Sequence, residues 1–246
     1  MANKTLEYRD GAVTLKGYLA DDARPGARPG VVLFPEANGL GDHVMERARR
    51  LAALGYVALA ADPYGDRRQA QDLPQAIELM TAVRSDVGRW RARAQAALDA
   101  LCAQPGVDRT KVAAIGYCFG GSTALELGRS GAPLSAVVSF HGGLVAPKPE
   151  DAKNIRAKVL VCHGADDPLI PPEQVAAFEA QMRDTKVDWQ VCVYGGAVHS
   201  FTNPDADKLG NAAFAYNAAA DQRSWAAMLS LFEEAFASRL AKGASR

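Results

Sequence analysis

The stretch Gly116-Tyr117-Cys118-Phe119-Gly120-Gly121 sets a thiol between glycines two residues before it and two after. The apolar run Val112-Ala113-Ala114-Ile115 leads in, and a helical pattern over Ser122–Arg129 leads out. Strand, tight turn and helix make a nucleophile elbow, in which the tip residue takes a strained conformation and glycines let strand and helix approach. The helix aims its first N–H groups at the tip, which favours a thiolate and the oxyanion formed when it attacks a carbonyl. Serine usually holds this apex, so cysteine predicts covalent catalysis through sulfur. Most free cysteines are small buried hydrophobes, but flanking glycines at this spacing argue for chemistry.

Such a nucleophile needs a base, and the base needs a group to orient it. The apolar run Val159–His163 passes into Gly164-Ala165-Asp166-Asp167-Pro168-Leu169-Ile170-Pro171, and Asp188–Tyr194 passes into Gly195-Gly196-Ala197-Val198-His199-Ser200-Phe201. His199, on a glycine-rich loop directly after a strand, is the candidate base. Of Asp166 and Asp167, one is expected to cap the helix that begins near Pro171-Pro172 and the other to orient His199. His43, His141 and His163 read as structural, although His141, followed by Gly142-Gly143, is also a candidate for lining the pocket.

These residues must be carried by alternating strands and helices. Strands are expected at Val13–Leu19, Val31–Phe34, Tyr56–Ala61, Ala136–Phe140, Val159–His163 and Asp188–Tyr194, besides the one ending at the elbow, with Pro25–Pro29 as a turn. Helical patterns cover Val44–Leu54, Gln75–Arg84, Asp86–Cys102, Pro172–Met182 and about Ala218 to Leu240. Strands this apolar, separated by helices, predict an α/β fold: a mostly parallel central sheet covered by helices on both faces. Ligands bind outside the carboxyl ends of the strands in such sheets, and the candidate residues lie there.

Length and composition bound the remaining classes. A chain of 246 residues with 48% hydrophobic residues is read as a single domain over residues 1–246 with its own core, the last few residues forming a loose tail. Lys and Arg number 28 against 28 Asp and Glu, with neither sign gathered into a block, which argues against nucleic acid or an anionic membrane as partner. No apolar run reaches the roughly 18 residues of a membrane span, and the first residues lack a signal-peptide core, so a cytoplasmic location is expected. Cys102, Cys118, Cys162 and Cys192 show no metal or disulfide spacing. Cys162 and Cys192 fall within strands and read as core. No metal or organic cofactor is implied, and the oligomeric state is left open.

The order Cys118, Asp, His199 is that of α/β-hydrolase triads. Together with Pro35-Glu36-Ala37-Asn38-Gly39, the elbow, Gly164-x-x-Asp167-x-x-Ile170-Pro171 and Gly196-Ala197-Val198-His199-Ser200-Phe201, it resembles the dienelactone hydrolase family over nearly the whole chain. The resemblance implies the α/β-hydrolase fold, Asp167 as the triad acid, and oxyanion donors from the backbone N–H groups of Ala37 and Phe119. It also implies that Glu36 contacts the thiol and takes its proton once substrate is bound. A carboxylate there would protect the resting thiol from ionisation and oxidation by like-charge repulsion. Candidate substrate contacts are Asn203, His141 and Tyr64.

One departure bears on substrate. Where relatives of the chloroaromatic pathway carry an arginine four residues after the histidine to hold a carboxylate, this chain has Asn203. Asparagine lacks the charge and the bidentate fork, and Arg67 and Arg68 read as solvated. The expected activity is therefore cleavage of a lactone or activated ester. A broad carboxylesterase or thioesterase on the same scaffold is the alternative, and a non-catalytic thiol-bearing binding or redox module is a more distant one.

Overall fold

The computed structural model describes residues 2–237. Among the described residues, eight strands form one sheet in the order β1-β2-β4-β3-β5-β6-β7-β8. They are β1 (Ala2–Asp10), β2 (Val13–Asp21), β3 (Arg28–Phe34), β4 (Val57–Ala60), β5 (Val107–Tyr117), β6 (Ala136–Phe140), β7 (Lys158–Gly164) and β8 (Trp189–Tyr194). All neighbours from β4 to β8 pair in parallel, while β1 and β2 form an antiparallel hairpin and β2 runs antiparallel to β4. The helices are α1 (Asp42–Ala53), α2 (Leu73–Arg84), α3 (Val87–Cys102), α4 (Phe119–Arg129), α5 (Pro172–Arg183) and α6 (Ala218–Ala237).

The parallel strands are apolar on both sides because both sides are covered. Val32, Ala114, Val137 and Val161 pack toward Leu98, Leu101, Leu125 and Phe178 of α3, α4 and α5. Their alternating neighbours Val31, Leu33, Ile115 and Val138 pack toward Val44, Leu51, Met228 and Phe232 of α1 and α6. Each wholly buried aliphatic side chain contributes about 1.5–3 kcal/mol relative to exposure, so two such layers hold the sheet without staples. No helix among the described residues is long and apolar enough to cross a membrane.

The expected strands and helices are found, with ends moved by a few residues, and β1 is an addition. Arg28 and Pro29, expected in a turn, begin β3. Cys162 is wholly buried, as expected, but Cys192 is only partly so because β8 is the edge of the sheet. The expected loose tail, and the last turn of the final helix to Leu240, lie outside the described residues. Strand order also changes direction in a useful place. After β3 the chain crosses to β4 and then returns to the other side of β3 as β5, which leaves a crevice between the carboxyl ends of β3 and β5.

Candidate active site

The elbow closes in that crevice. Cys118 is the N-cap of α4, with φ 52° and ψ −118°, a conformation that costs a non-glycine residue about 1–3 kcal/mol and persists only where the surroundings enforce it. Its neighbours do so. A Cβ on Gly116 would run into the carbonyl of Gly120, and one on Gly120 would run into the carbonyl of Phe34 at the end of β3. A Cβ on Gly121 would stand 2.5 Å from Ser139 Oγ. The Cys118 N–H donates to Phe140 O at 3.0 Å and to His141 Nδ1 at 3.1 Å. Phe119 opens α4, so its N–H is among the first-turn donors that have no acceptor within the helix.

Loops after β7 and β8 bring Asp167 and His199 together. His199 Nδ1 lies 2.7 Å from Asp167 Oδ2, and both side chains are almost completely buried. Asp167 Oδ1 accepts the Leu169 N–H at 2.9 Å, which fixes the carboxylate plane. The loop carrying His199 is held by His199 N–H to Ala213 O and Ala215 N–H to His199 O, and Phe214 meets the imidazole edge-on. With Nδ1–H on the carboxylate, Nε2 is the free nitrogen; it is buried and makes no hydrogen bond among the described residues. Burial alone would lower the His199 pKa, but the Cys118 sulfur and then the Asp167 carboxylate overcome it and push it up to about 10.

A group whose folded pKa is raised stabilises the fold below the unfolded value of 6.5, and that contribution fades as pH rises through about 10. The parent's advantage in unfolding free energy over His199→Gln should therefore be largest near about pH 6 and shrink toward about pH 10. A gap that stays constant across that range contradicts the pairing.

Glu36 makes no hydrogen bond to the thiol. Its Oε2 accepts Asn203 Nδ2–H at 2.7 Å and lies 3.7 Å from His43 Nδ1, while Oε1 is buried without a hydrogen-bond partner among the described residues. Arg47 donates Nε–H to His43 Nε2 at 3.2 Å, so the proton of the neutral His43 ring is on Nδ1, facing Glu36. Burial opposes the charge on Glu36, but contacts with His43, His141 and Ser200 outweigh it and bring its pKa down to about 2. The hydrogen bond that Glu36 makes is thus to Asn203, the residue standing where relatives have arginine.

Other expected residues separate by role. A turn closed by Gly39 N–H to Glu36 O carries Ala37. Tyr64 donates its hydroxyl to Ala37 O at 2.7 Å, and its phenol pKa is raised by burial and then by nearby Cys118. Around the thiol, Ala37, Tyr64 and Met80 pack on Val83, Trp90 and Phe119, an apolar wall. His141 is wholly buried with both ring nitrogens engaged inside the protein, so it does not line the pocket. Burial pushes the His163 pKa down, and this residue stays inside β7. Neither aspartate caps α5: Asp166 is exposed, Asp167 is engaged with His199, and the N-cap is Pro171. Sequence reasoning overlooked Thr202, which joins His141 at 2.8 Å, and Ser200 beside Glu36; their position on the His199 loop was the available signal.

A cysteine at a strained turn after the central strand of a mostly parallel sheet, with polar side chains gathered at the carboxyl edge, is the architecture of the α/β-hydrolases, and here of a carboxylic-ester hydrolase. Residues 15–236 match the dienelactone hydrolase family, and the chain belongs to it. A dienelactone hydrolase-like promiscuous phosphotriesterase from metagenomic libraries is 54% identical, with TM-score 0.91 over 95% of this chain and 98% of that one. A putative dienelactone hydrolase from Klebsiella pneumoniae is 25% identical, with TM-score 0.80 over 95% of this chain and 99% of that one. A putative carboxymethylenebutenolidase of Yersinia pestis is 30% identical over 230 residues, which cover 89% of this chain and 84% of the relative.

Proposed function

We propose that this enzyme hydrolyses neutral lactones and activated esters, with Cys118 as nucleophile, His199 as base and Asp167 as the group that orients it. The observation that carries the reading is the 2.7 Å contact between His199 Nδ1 and Asp167 Oδ2, with Nε2 left free on the side of the elbow thiol. His199 Nε2 takes the thiol proton as sulfur bonds to the carbonyl carbon, and the N–H groups of Ala37 and Phe119 receive the oxyanion. The ester C–O bond then breaks, and His199 returns the proton to the departing oxygen. Water, deprotonated by His199, attacks the thioester; the C–S bond breaks, His199 returns that proton to the departing Cys118 sulfur, and the acid leaves. Because a thiolate is a better leaving group than an alkoxide, enol lactones and aryl esters suit this scheme and simple alkyl esters do not.

Charge around the site supports neutral substrates. A polar cleft of about 230 Å³ that adjoins the site through Glu36 and Asn203, without being lined by Cys118 or His199, carries Glu36, Asp42, Asp205 and His43 and no lysine or arginine. Arg67 rests its guanidinium on Met45 Sδ at 3.2 Å, and Arg68 is exposed. A neutral lactone, or the methyl ester of a carboxylate-bearing one, should thus be hydrolysed with kcat/KM at least equal to that of the matching carboxylate. A site built to pair the anion would favour the carboxylate by roughly tenfold to a hundredfold, the worth of a charge-assisted hydrogen bond. Rates on both members of such a pair test the reading, and a strong carboxylate preference overturns it. Acyl transfer to Cys118, seen as a mass increase on quenching, separates hydrolysis from mere binding.

A second reading rests on the relative named as a promiscuous phosphotriesterase, at 54% identity. The same thiolate attacking phosphorus would form an S–P bond and expel an aryloxide, with water then needed to break S–P. Repeated release of aryloxide from a neutral aryl phosphotriester supports it; a single equivalent per enzyme argues against turnover.

A further inference from the structure

His141 follows β6 with a positive φ of 41°, uncommon outside glycine. Its ring is wholly buried between the nucleophile and the base. Nδ1 receives the Cys118 N–H at 3.1 Å, and Nε2 lies 2.8 Å from Thr202 Oγ1, on the loop that carries His199. The ring also meets His199 edge-on at 5.4 Å and Phe201 at 5.2 Å between centroids. A backbone N–H can only donate, so Nδ1 must present a lone pair; Nε2 therefore bears the proton and gives it to Thr202. Thr202 is in turn fixed, since its carbonyl accepts the Arg47 guanidinium, which pairs with Asp221.

We propose that His141 is a positioning residue for the hydrolytic reaction, a neutral strut that ties the backbone of Cys118 to the His199 loop and sets the distance between sulfur and base. The inference rests on the assignment of Cys118 and His199 above. It also explains why the Cys118 N–H takes no part in the oxyanion hole, since that donor already serves Phe140 O and His141. The strut works only while His141 is neutral, because an imidazolium would point a second donor at the Cys118 N–H. Burial keeps it so, pushing the pKa well below the ordinary histidine value, with His199, His43 and Arg47 acting in the same direction and Glu36 against them.

His141→Ala, His141→Asn and Thr202→Val test this in the full chain, with kcat and KM on an aryl ester, thermal melting, and the pH profile of Cys118 alkylation by iodoacetamide. His141→Ala should lower kcat by roughly tenfold to a hundredfold while KM changes little, the size expected when reacting groups shift by about an ångström. His141→Asn, whose side-chain oxygen can accept the Cys118 N–H, should recover much of the loss. Thr202→Val should lower kcat on its own yet add almost nothing in the His141→Ala background, because both act through one strut. The alkylation profile should shift in His141→Ala and Thr202→Val together. The strut is overturned if melting temperatures fall while kcat per folded molecule stays within about twofold, if asparagine does no better than alanine, or if the Thr202 effect adds in full. Should His141→Ala not fold, kcat and the alkylation profile of His141→Asn and Thr202→Val decide the matter: a Thr202→Val protein with parental kcat and an unshifted profile overturns the strut. Loss of all activity on alkylating Cys118, measured in the parent, keeps failure of the strut distinct from failure of the nucleophile assignment.

Discussion

Replacing Cys118 with alanine should leave a folded protein that turns over almost no ester. On the proposed mechanism the Cys118 sulfur forms the acyl intermediate, and the fold should not depend on it, since the conformation of residue 118 is imposed by Gly116, Gly120 and Gly121 closing on Phe34 and Ser139. Removing a nucleophile that acts as one unit with its base costs about 10³ to 10⁶ in rate in well-studied hydrolases. Cys118→Ser should keep at most a trace, because a hydroxyl proton is far harder to remove than a thiol proton at a site shaped for sulfur. Circular dichroism and melting establish the fold, and hydrolysis of an aryl ester establishes the rate. A folded Cys118→Ala protein with near-parental turnover sinks the mechanism.

His199→Ala should lower kcat/KM by about four orders of magnitude, and Asp167→Asn by a similar or somewhat smaller factor, since an amide no longer fixes the Nδ1–H tautomer. The 2.7 Å contact and near-complete burial of both partners underlie the size of the effect. In a double variant the losses should not add, because the two groups act as a unit. His163→Ala is the control: that residue sits within β7, and its loss should change stability more than turnover per folded molecule. If His163→Ala is the inactive variant, the base has been misassigned.

Much of this arrangement is legible in the sequence because parallel strands buried on both faces read as unbroken apolar runs, as Val31-Val32-Leu33-Phe34 and Val159-Leu160-Val161-Cys162 do. The first strand escapes such a reading because it lies at the sheet edge, where Leu6 and Tyr8 pack inward and Asn3, Lys4, Thr5 and Glu7 do not form an apolar run. Its signal was the Asp10-Gly11 pair, with Gly11 at φ 55° in the hairpin turn. The elbow, and the placing of His199 and Asp167 at strand ends, follow from glycine spacing and strand order. Side-chain direction does not. Glu36 takes a hydrogen bond from Asn203 and faces His43, and no spacing rule contains that choice. The cap expected for α5 fails for a local reason: Pro172 has no N–H to satisfy, and Asp167 is already committed to the base.

During synthesis these parts emerge in a fixed order. The carbonyl of Phe34 and the glycines that frame Cys118 are made early, and Ser139 follows shortly after the elbow. His199 comes about 80 residues after Cys118, a delay of about 4–16 s at the usual 5–20 residues per second of translation. Through that interval a growing chain can shape its thiol-bearing turn while the loop after β8 does not yet exist. Among the described residues β8 pairs with β7 alone, at the margin of the sheet, and the loop that follows it carries the proposed base. On the proposed mechanism, a chain that stops short of the loop after β8 would hold the framed sulfur of Cys118 without its base.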